Sequence, residues 1–349
     1  MARELRALGG QARILPGAGG SRVAPLRRIT LVATEDQYGR WVRRARARGD
    51  SLTGMILSLG QVLDSTRRRG PRTVLLAHGR RLVVGRRTLV MGVLNVTPDS
   101  FSDGGRFRDP GEAIQAGLRL VDEGADILDV GGESTRPGAS PVPPGVELRR
   151  VLPVLEGLAR RTESILSVDT RRPSVARAAL RAGAHLINDV EGLRRADLRR
   201  EVARAEAGAV IMHMRGRPAT MQADTRYVDM MGEIYAFLDA RLRRAEASGI
   251  PRERLIVDPG IGFGKSLAGN LEILGRVGEF RGLGVPVLVG ASRKSFLGTL
   301  LKGAPVGERL EASVAAAVVA ALRGAHIVRV HDVAPTVKAL RLADALRRP

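Results

Sequence analysis

Three hydrogen-bonding side chains stand at the ends of short apolar runs: Asp169 in SVDT, Asn188 in IND and Asp258 in DPG. Two carboxylates and a carboxamide can accept hydrogen bonds from the ring N–H and amino groups of an aminopyrimidinone. Each side chain alone could instead cap the helix that follows, because Asp and Asn are favoured at that position. The three together favour a ligand site over three separate caps.

A second set of residues could bind an anion. Arg329 and His331 flank Val330 on an apolar run, so the two-residue period of a strand turns both side chains to one side. With Asn95 they could hold a phosphate group, and Asn95 is also a suitable oxygen ligand for Mg²⁺. The alternative is an ordinary strand-end arginine beside a histidine satisfied in the core. We favour that structural interpretation for His213, which lies between two methionines.

Two lysines stand out because the chain has 53 Arg and only four Lys. Lys265 in GIGFGKS and Lys294 in GASRKS each follow an apolar run, and a compact ammonium differs chemically from a guanidinium fork. The stretch around Lys265 resembles a P-loop, but Pro259 occupies a position that must be glycine. We therefore predict a glycine-lined turn that lets a flat ligand approach the backbone.

A regular alternation of short apolar strands and helices from residue 86 onward must position these residues. Eight strand–helix pairs in about 260 residues predict a closed parallel (β/α)8 TIM barrel, an α/β fold that brings strand ends to one rim. An open doubly wound sheet is the alternative, and it would need a dinucleotide fingerprint. The loops 95–107 and 134–145 are rich in Gly, Pro and Ser, and we expect them to be mobile lids over that rim.

Residues 1–85 lack this alternation and are expected to form a separate extension of unknown role. Its candidate elements would suit a small α/β module: a strand at 29–33, a helix at 35–48, a helix at 52–63 and a strand at 74–76. The extension carries 17 Arg and five acidic residues, so it holds +12 of the net charge of +21.

Composition limits the class of protein further. The chain has no cysteine, which excludes a disulfide framework and a thiolate metal site. Its longest apolar block, 313–322, is about half the length that a bilayer crossing needs. We expect a cytoplasmic protein without a membrane partner. The basic clusters could bind phosphate backbones, but aromatic residues for base stacking are only 3% of the chain, so we favour a solvated basic surface without nucleic acid.

The motifs NVTPDSFSDGG, DVGGESTRPGA, SVDT, IND, MHM, DPGIGFGK, GASRKS and RVHD occur in this order and together resemble dihydropteroate synthase over residues 86–349. The resemblance implies a TIM barrel that joins 6-hydroxymethyl-7,8-dihydropterin diphosphate to 4-aminobenzoate. The products would be 7,8-dihydropteroate, an intermediate of folate biosynthesis, and diphosphate. The family usually uses Mg²⁺.

The resemblance also implies roles for individual residues. The pterin would be bound by Asp169, Asn188, Asp258 and Lys294, with Arg329 stacked on it. The diphosphate would be held by Asn95, Arg329 and His331, with Asn95 as the Mg²⁺ ligand. The catalytic set would be Lys294, Arg329, His331 and Asp169. The aminobenzoate pocket, where sulfonamides compete in this family, would be shaped by Thr135, Arg136, Pro137, Phe263 and Ser295. The first lid would contain Phe101 and Asp103 and would order as the reaction begins.

The reaction implied by the resemblance is dissociative: the bond to diphosphate breaks first, and the aniline nitrogen then attacks a delocalised pterin cation. Such chemistry needs charge complementarity and positioning rather than a nucleophilic side chain. One alternative is a pterin-binding methyltransferase, which would not need the STRPG and SRKS loops. Another is a non-catalytic relative that binds pterin or nucleic acid. The apolar helix 312–322 requires a cover, and by resemblance that cover is the partner of a homodimer.

Overall fold

The structure is a computed structural model of the 349-residue chain. It describes residues 11–15, 28–32, 34–48, 70–97, 109–134, 142–216, 218 and 220–347. The chain divides into two compact units, residues 1–68 and residues 69–349.

The first unit contains an antiparallel strand pair and a helix. Strand β1 (Gln11–Leu15) pairs with β2 (Arg28–Val32), and helix α1 (Glu35–Arg48) follows. Thr34 and Gln37 form a reciprocal cap at the start of α1, because each side-chain oxygen accepts a hydrogen bond from the other residue's backbone N–H. Strand β1 was not predicted, and the helix predicted at 52–63 lies outside the described residues.

The second unit begins with a hairpin and continues as alternating strands and helices. The hairpin is β3 (Arg72–Leu75) and β4 (Arg81–Val84). The strands that follow are β5 (Leu89–Asn95), β6 (Ile127–Gly131), β7 (Ile165–Asp169), β8 (Leu186–Asp189), β9 (Gly208–Met212), β10 (Leu255–Asp258), β11 (Leu288–Val289) and β12 (Ile327–Val330). The helices are α2 (Pro110–Asp122), α3 (Pro144–Ala159), α4 (Pro173–Arg181), α5 (Ala196–Arg204), α6 (Met230–Ala247), α7 (Leu267–Gly275), α8 (Ser295–Leu300), α9 (Leu310–Leu322) and α10 (Val333–Arg347). Helix α8 was not predicted.

The eight strands β5–β12 form one parallel sheet in the order β10-β9-β8-β7-β6-β5-β12-β11. A parallel bridge between Val257 and Val287 brings the two ends of this order together. The predicted TIM barrel is thus confirmed, and the open doubly wound sheet is excluded.

The barrel interior is apolar at one end. All eight strands contribute to a single buried cluster, which includes Met91, Ile127, Val210 and Ile327. By the two-residue strand period, the next inward side chain on several strands is polar, because Asp129 follows Ile127 and Arg329 follows Ile327. Polar groups therefore gather toward the carboxyl ends of the strands, where active sites of this fold lie.

The hairpin β3–β4 closes the opposite, amino-terminal end. Its side chains Val74, Leu76, Leu82 and Val84 belong to the same buried cluster as the strand residues. We expected the extension to run to residue 85. The structure instead assigns residues 69–85 to the barrel unit, because their apolar side chains complete the barrel core. No described helix is both long and apolar enough to cross a bilayer.

Candidate active site

Arg329 stands at the centre of the polar rim. Its Nε donates to Asp129 Oδ2 at 2.7 Å, and its Nη2 donates to Asp169 Oδ2 at 3.0 Å. Burial lowers the pKa of Arg329, but the two carboxylates offset this effect and the net pKa is raised. The guanidinium therefore stays charged, and two of its five N–H groups fix its plane.

Asp129 is a functional candidate that the sequence analysis missed. It is fully buried, and besides Arg329 it accepts hydrogen bonds from Asn188 Nδ2 at 2.9 Å and Ser167 Oγ at 2.6 Å. Because the amide nitrogen of Asn188 is engaged by Asp129, its carbonyl oxygen is the group left for a ligand's donor. The two-residue period from Ile127 is the signal that could have identified Asp129 as inward-facing.

The two other predicted carboxylates have raised pKa values. Burial raises the pKa of Asp169 to about 7, although Arg329 opposes the shift. Burial also raises the pKa of Asp258, whose Oδ1 accepts a hydrogen bond from the backbone N–H of Gly260 at 2.7 Å. In the barrel register Asp169 pairs with Asn188, so these acceptors occupy neighbouring strand ends.

Lys294 lies across from the carboxylates, just before α8. Its Nζ donates to the backbone oxygen of Ile261 and lies 4.5 Å from the ring centroid of Phe263, a cation–π distance. Burial lowers the pKa of Lys294 to about 8, Asp258 opposes the shift and Arg329 adds to it. Ser295, the first residue of α8, is exposed next to it.

The segment before Lys294 is held in a strained conformation. Arg293 has a φ of +57°, which is uncommon for a residue other than glycine. Its guanidinium donates to both carboxylate oxygens of Asp332, at 3.0 and 2.6 Å, and its backbone N–H donates to Ser313 Oγ at 2.9 Å. These contacts stabilise the backbone that presents Lys294, and no pattern in the sequence predicts the strain.

The predicted phosphate-binding residues lie on the same rim. His331 follows β12 directly, and its backbone N–H and Nδ1 contact Ser292 Oγ at 3.2 and 3.0 Å. Asn95 ends β5 beside Gly131: a methyl group at Gly131 would lie 3.5 Å from Asn95 Oδ1 and 3.6 Å from Asp169 Cβ. Asn95 and Asp169 therefore flank one small residue, which leaves space between them.

An ion-pair network surrounds Glu133. Glu133 accepts a hydrogen bond from the backbone N–H of Val142 at 3.2 Å and pairs with Arg172 at 2.9 Å. Arg172 also pairs with Glu147, which accepts from Thr170 Oγ1 at 2.6 Å. The predicted loop residues Thr135, Arg136, Pro137, Phe101 and Asp103 lie outside the described residues.

Among the described residues, no group of three or more His, Cys, Asp or Glu side chains could hold a metal. Mg²⁺ commonly binds through one or two protein oxygens together with substrate phosphates, so it does not need such a group. Asn95 offers such an oxygen on the rim.

Comparisons with known proteins agree with this geometry. A family model described as "Pterin binding enzyme" matches residues 91–331. The dihydropteroate synthase of Escherichia coli (strain K12) is 47% identical over 256 residues, which cover 73% of this chain and 90% of that protein. The Yersinia pestis dihydropteroate synthase with a sulfonamide drug complex superposes with a TM-score of 0.76 at 45% identity, covering 79% of this chain and 100% of the other. The Burkholderia cenocepacia enzyme complexed with 7,8-dihydropteroate gives 0.72 at 44% identity, covering 79% and 97%.

Fold, rim and comparisons together define a pterin-binding TIM-barrel enzyme, and the chain belongs to that family. Within it, the chain groups with the dihydropteroate synthases, the transferases that form 7,8-dihydropteroate in folate biosynthesis. The resemblance carried by the motifs is confirmed, and the alternatives of a methyltransferase and of a non-catalytic relative are set aside.

The extension also has a counterpart in one relative. A probable bifunctional folylpolyglutamate synthase/dihydropteroate synthase of Halobacterium salinarum is 42% identical over 347 residues, which cover 99% of this chain and 41% of that protein. That similarity includes residues 1–68, whereas the Escherichia coli match covers only 73% of the chain.

Proposed function

We propose that the residues of the barrel rim divide the synthase reaction among three groups: pterin binding, diphosphate binding and aminobenzoate binding. The observation that carries this proposal is the convergence of five residues from five parts of the chain, namely Asp169, Asn188, Asp258, Lys294 and Arg329. Arg329 contacts Asp169 directly and Asn188 through Asp129, and Lys294 lies in the fields of Asp258 and Arg329. Such a set offers acceptors to the N–H groups of a pterin and donors to its carbonyl oxygen.

The carboxylates of the pterin-binding residues also suit the positive charge that develops on the pterin during the reaction. Loss of diphosphate leaves a cation on the dihydropterin, and a buried carboxylate stabilises a cation far better than water does. Asp169 and Asp258 are those carboxylates. Arg329, with three N–H groups beyond those given to Asp129 and Asp169, can stack on the ring and reach a phosphate oxygen.

The diphosphate would be held by Arg329, His331 and Asn95. Mg²⁺ held by the Asn95 oxygen would neutralise part of the negative charge on the departing group. We expect Asn95→Ala to raise the Mg²⁺ concentration needed for half-maximal activity, and an unchanged requirement would remove Asn95 as the ligand.

The aminobenzoate would lie beside Lys294. Phe263 and Ser295 border this region, and Thr135, Arg136 and Pro137 follow Glu133 in sequence. The Yersinia pestis relative was solved with a sulfonamide drug complex and the Burkholderia cenocepacia relative with 7,8-dihydropteroate. By similarity we propose that this chain also binds sulfonamides in place of 4-aminobenzoate. The lid role of Phe101 and Asp103 stays a proposal of the same kind.

The decisive experiment is a diphosphate-release assay with the pterin diphosphate, 4-aminobenzoate and Mg²⁺. Lys294→Ala and Asp258→Ala are each expected to lower kcat/KM by about tenfold or more, because each removes a polar contact made in the transition state. Lys338→Ala, on the exposed face of α10, serves as the control. Unchanged turnover in both site variants would refute the assignment of the pterin site.

We further propose that the enzyme is a homodimer through α9 and α10, which pack against each other. The side of α9 turned to the core buries Ala316, Ala317 and Ala320, yet Leu322 on the same helix is 45% exposed. Leu346 on α10 is 69% exposed. Exposed leucines on two helices that pack together form the kind of apolar surface that a second copy covers.

A further inference from the structure

A second lysine lies behind the pterin site and has no role in the scheme above. Lys265 is only 3% exposed. Besides the backbone oxygen of His213 at 3.5 Å, its Nζ has three closer acceptors. They are the backbone oxygen of Gly260 at 2.8 Å, that of Phe263 at 2.9 Å and Nδ1 of His213 at 3.0 Å. Burial lowers the pKa of Lys265 to about 7, although Asp258 opposes the shift. In its protonated form the ammonium has three N–H donors, and this arrangement satisfies all of them.

His213 is built to accept from this lysine. Burial and the neighbouring Lys265 lower the pKa of His213 to about 2, so the imidazole is neutral and its Nδ1 can carry a lone pair. Its ring packs edge-on against Phe237 at 4.9 Å between centroids, which fixes its orientation. The structural interpretation of His213 from the sequence is thus confirmed, with Lys265 as its partner.

The turn that Lys265 holds has a backbone only glycine adopts readily. Gly260 and Gly262 have φ of +71° and +83°, and a methyl group on Gly260 would overlap the backbone oxygen of His213. Two carbonyl groups of this turn, those of Gly260 and Phe263, accept hydrogen bonds from a single nitrogen. Without that nitrogen, the carbonyl oxygen of Phe263 would lose its hydrogen bond from Lys265, and that of Gly260 would keep only the one from the backbone N–H of Phe263 at 3.1 Å, which is unfavourable.

The outer side of the same turn contacts the other lysine. The oxygen of Ile261 accepts from Lys294, the Phe263 ring lies beneath the Lys294 ammonium, and a Cβ on Gly262 would lie 2.8 Å from Lys294 Cδ. The turn is therefore a short connection, held by Lys265 on the inside and holding Lys294 on the outside.

We propose that Lys265 is a positioning residue, which fixes the turn 260–264 so that the Ile261 oxygen and the Phe263 ring set the place of the Lys294 ammonium. This inference rests on the proposed role of Lys294 and Phe263 in substrate binding. Lys265 acts through the turn and touches neither substrate. A loosened turn weakens binding of both substrates, whereas the diphosphate residues Asn95 and His331 keep their places.

The test compares Lys265→Met, which keeps the length of the stem and removes the donors, with Lys338→Met on the surface. In the diphosphate-release assay, we expect Lys265→Met to raise KM for the pterin diphosphate and for 4-aminobenzoate by about tenfold while kcat stays within about threefold. A purely structural role would reduce the folded fraction, which lowers the apparent kcat at unchanged KM. Unchanged KM values for both substrates would therefore overturn the proposal.

Two further variants keep the outcome interpretable. His213→Phe preserves the aromatic packing on Phe237 but removes one acceptor, and we expect it to raise both KM values by about threefold. It carries the test if Lys265→Met does not yield folded enzyme, and unchanged KM values in it would then overturn the proposal. Lys294→Ala distinguishes failure of the pterin-site assignment from failure of the positioning role. If Lys294→Ala loses activity while Lys265→Met and His213→Phe do not, the site assignment stands and the positioning role of Lys265 fails.

Discussion

Arg329 Nε lies 2.7 Å from Asp129 Oδ2, although the two residues are 200 positions apart in the chain. The same carboxyl group accepts a hydrogen bond from the amide nitrogen of Asn188, so a single buried aspartate orients two residues of the pterin site. Asp129 itself is 0% exposed, lies beneath the rim and is enclosed by the groups it orients.

Replacing Asp129 with asparagine should therefore reduce activity, although Asp129 itself does not contact the substrate. The neutral amide keeps the shape but pairs poorly with the buried Arg329 cation, and it permits the Asn188 amide to turn. We expect kcat/KM for the pterin diphosphate to fall by about tenfold or more. Ser167→Ala is the control, since it removes another hydrogen bond to Asp129 and leaves Arg329 and Asn188 in place. Equal kinetics in both variants would contradict an orienting role.

The pH dependence of binding should report on Lys294. Its pKa is lowered to about 8 from the usual 10.5, so the ammonium is present below pH 8 and is lost as the pH rises through that value. We expect kcat/KM for the pterin diphosphate to decline above pH 8. Lys294→Arg should remove this decline, because a guanidinium stays charged. A profile identical in both enzymes would assign the titration to another group.

Protein stability should show the opposite trend over the same pH range. Between pH 8 and 10.5 the unfolded state binds more protons at this lysine than the folded state, so the Lys294 contribution to the free energy of unfolding rises with pH. Urea denaturation of the wild type and of Lys294→Met at pH 8 and pH 10 isolates this contribution. The free energy of unfolding of the wild type minus that of Lys294→Met should rise from pH 8 to pH 10, and a fall would exclude the lowered pKa.

Glu133 should control the aminobenzoate site selectively. Glu133→Gln weakens the contacts of Glu133 with Val142 and Arg172, and Thr135, Arg136 and Pro137 lie between Glu133 and Val142 in sequence. We expect KM for 4-aminobenzoate to rise by about fivefold, with KM for the pterin diphosphate changed by less than about twofold. Glu201→Gln is the control, because Glu201 pairs with Arg177 outside this network. A larger effect on KM for the pterin diphosphate than on KM for 4-aminobenzoate would contradict this selective role of Glu133.

The turn that carries Lys265 should tolerate no side chain at Gly260. Gly260→Ala combines a positive φ with overlap on the His213 backbone oxygen, so we expect a loss of about 3 kcal/mol or more in unfolding free energy. Gly275→Ala, with no atom within 4 Å of the added carbon, should change stability by less than about 1 kcal/mol. Urea denaturation of the two variants provides the comparison, and similar values would argue against a rigid turn.

The exposed leucines of α9 and α10 should determine the oligomeric state. Leu322→Arg together with Leu346→Arg adds two charges per subunit to the proposed interface, where like charges would meet across a twofold axis. We expect light scattering to give a dimer for the wild type and a monomer for the variant. A wild-type monomer would contradict the proposed interface.

The order of residues along the chain was enough to predict the fold and which strand ends contribute most of the rim residues. Alternating apolar strands and helices specify a parallel barrel, and a parallel barrel brings the ends of its strands to one rim, so Asp169, Asn188 and Asp258 were predictable as a group. The helix Met230–Ala247 and the strands Ile165–Asp169 and Leu255–Asp258 have the predicted bounds, because their hydrophobic periods and flanking residues are unambiguous.

Features that depend on contacts between distant residues became known only from the folded structure. The Asp129–Arg329 pair, the Lys265–His213 contact and the strained backbone at Arg293 each join or depend on segments that no local pattern relates. The hairpin at 72–84 had too few residues to show whether it belonged to the extension, and only the burial of Val74 and Val84 against the strands assigned it to the barrel. Local sequence predicts which elements form and how their side chains alternate. Which buried charges pair with each other depends on tertiary packing, because packing excludes water and determines which charged groups are neighbours.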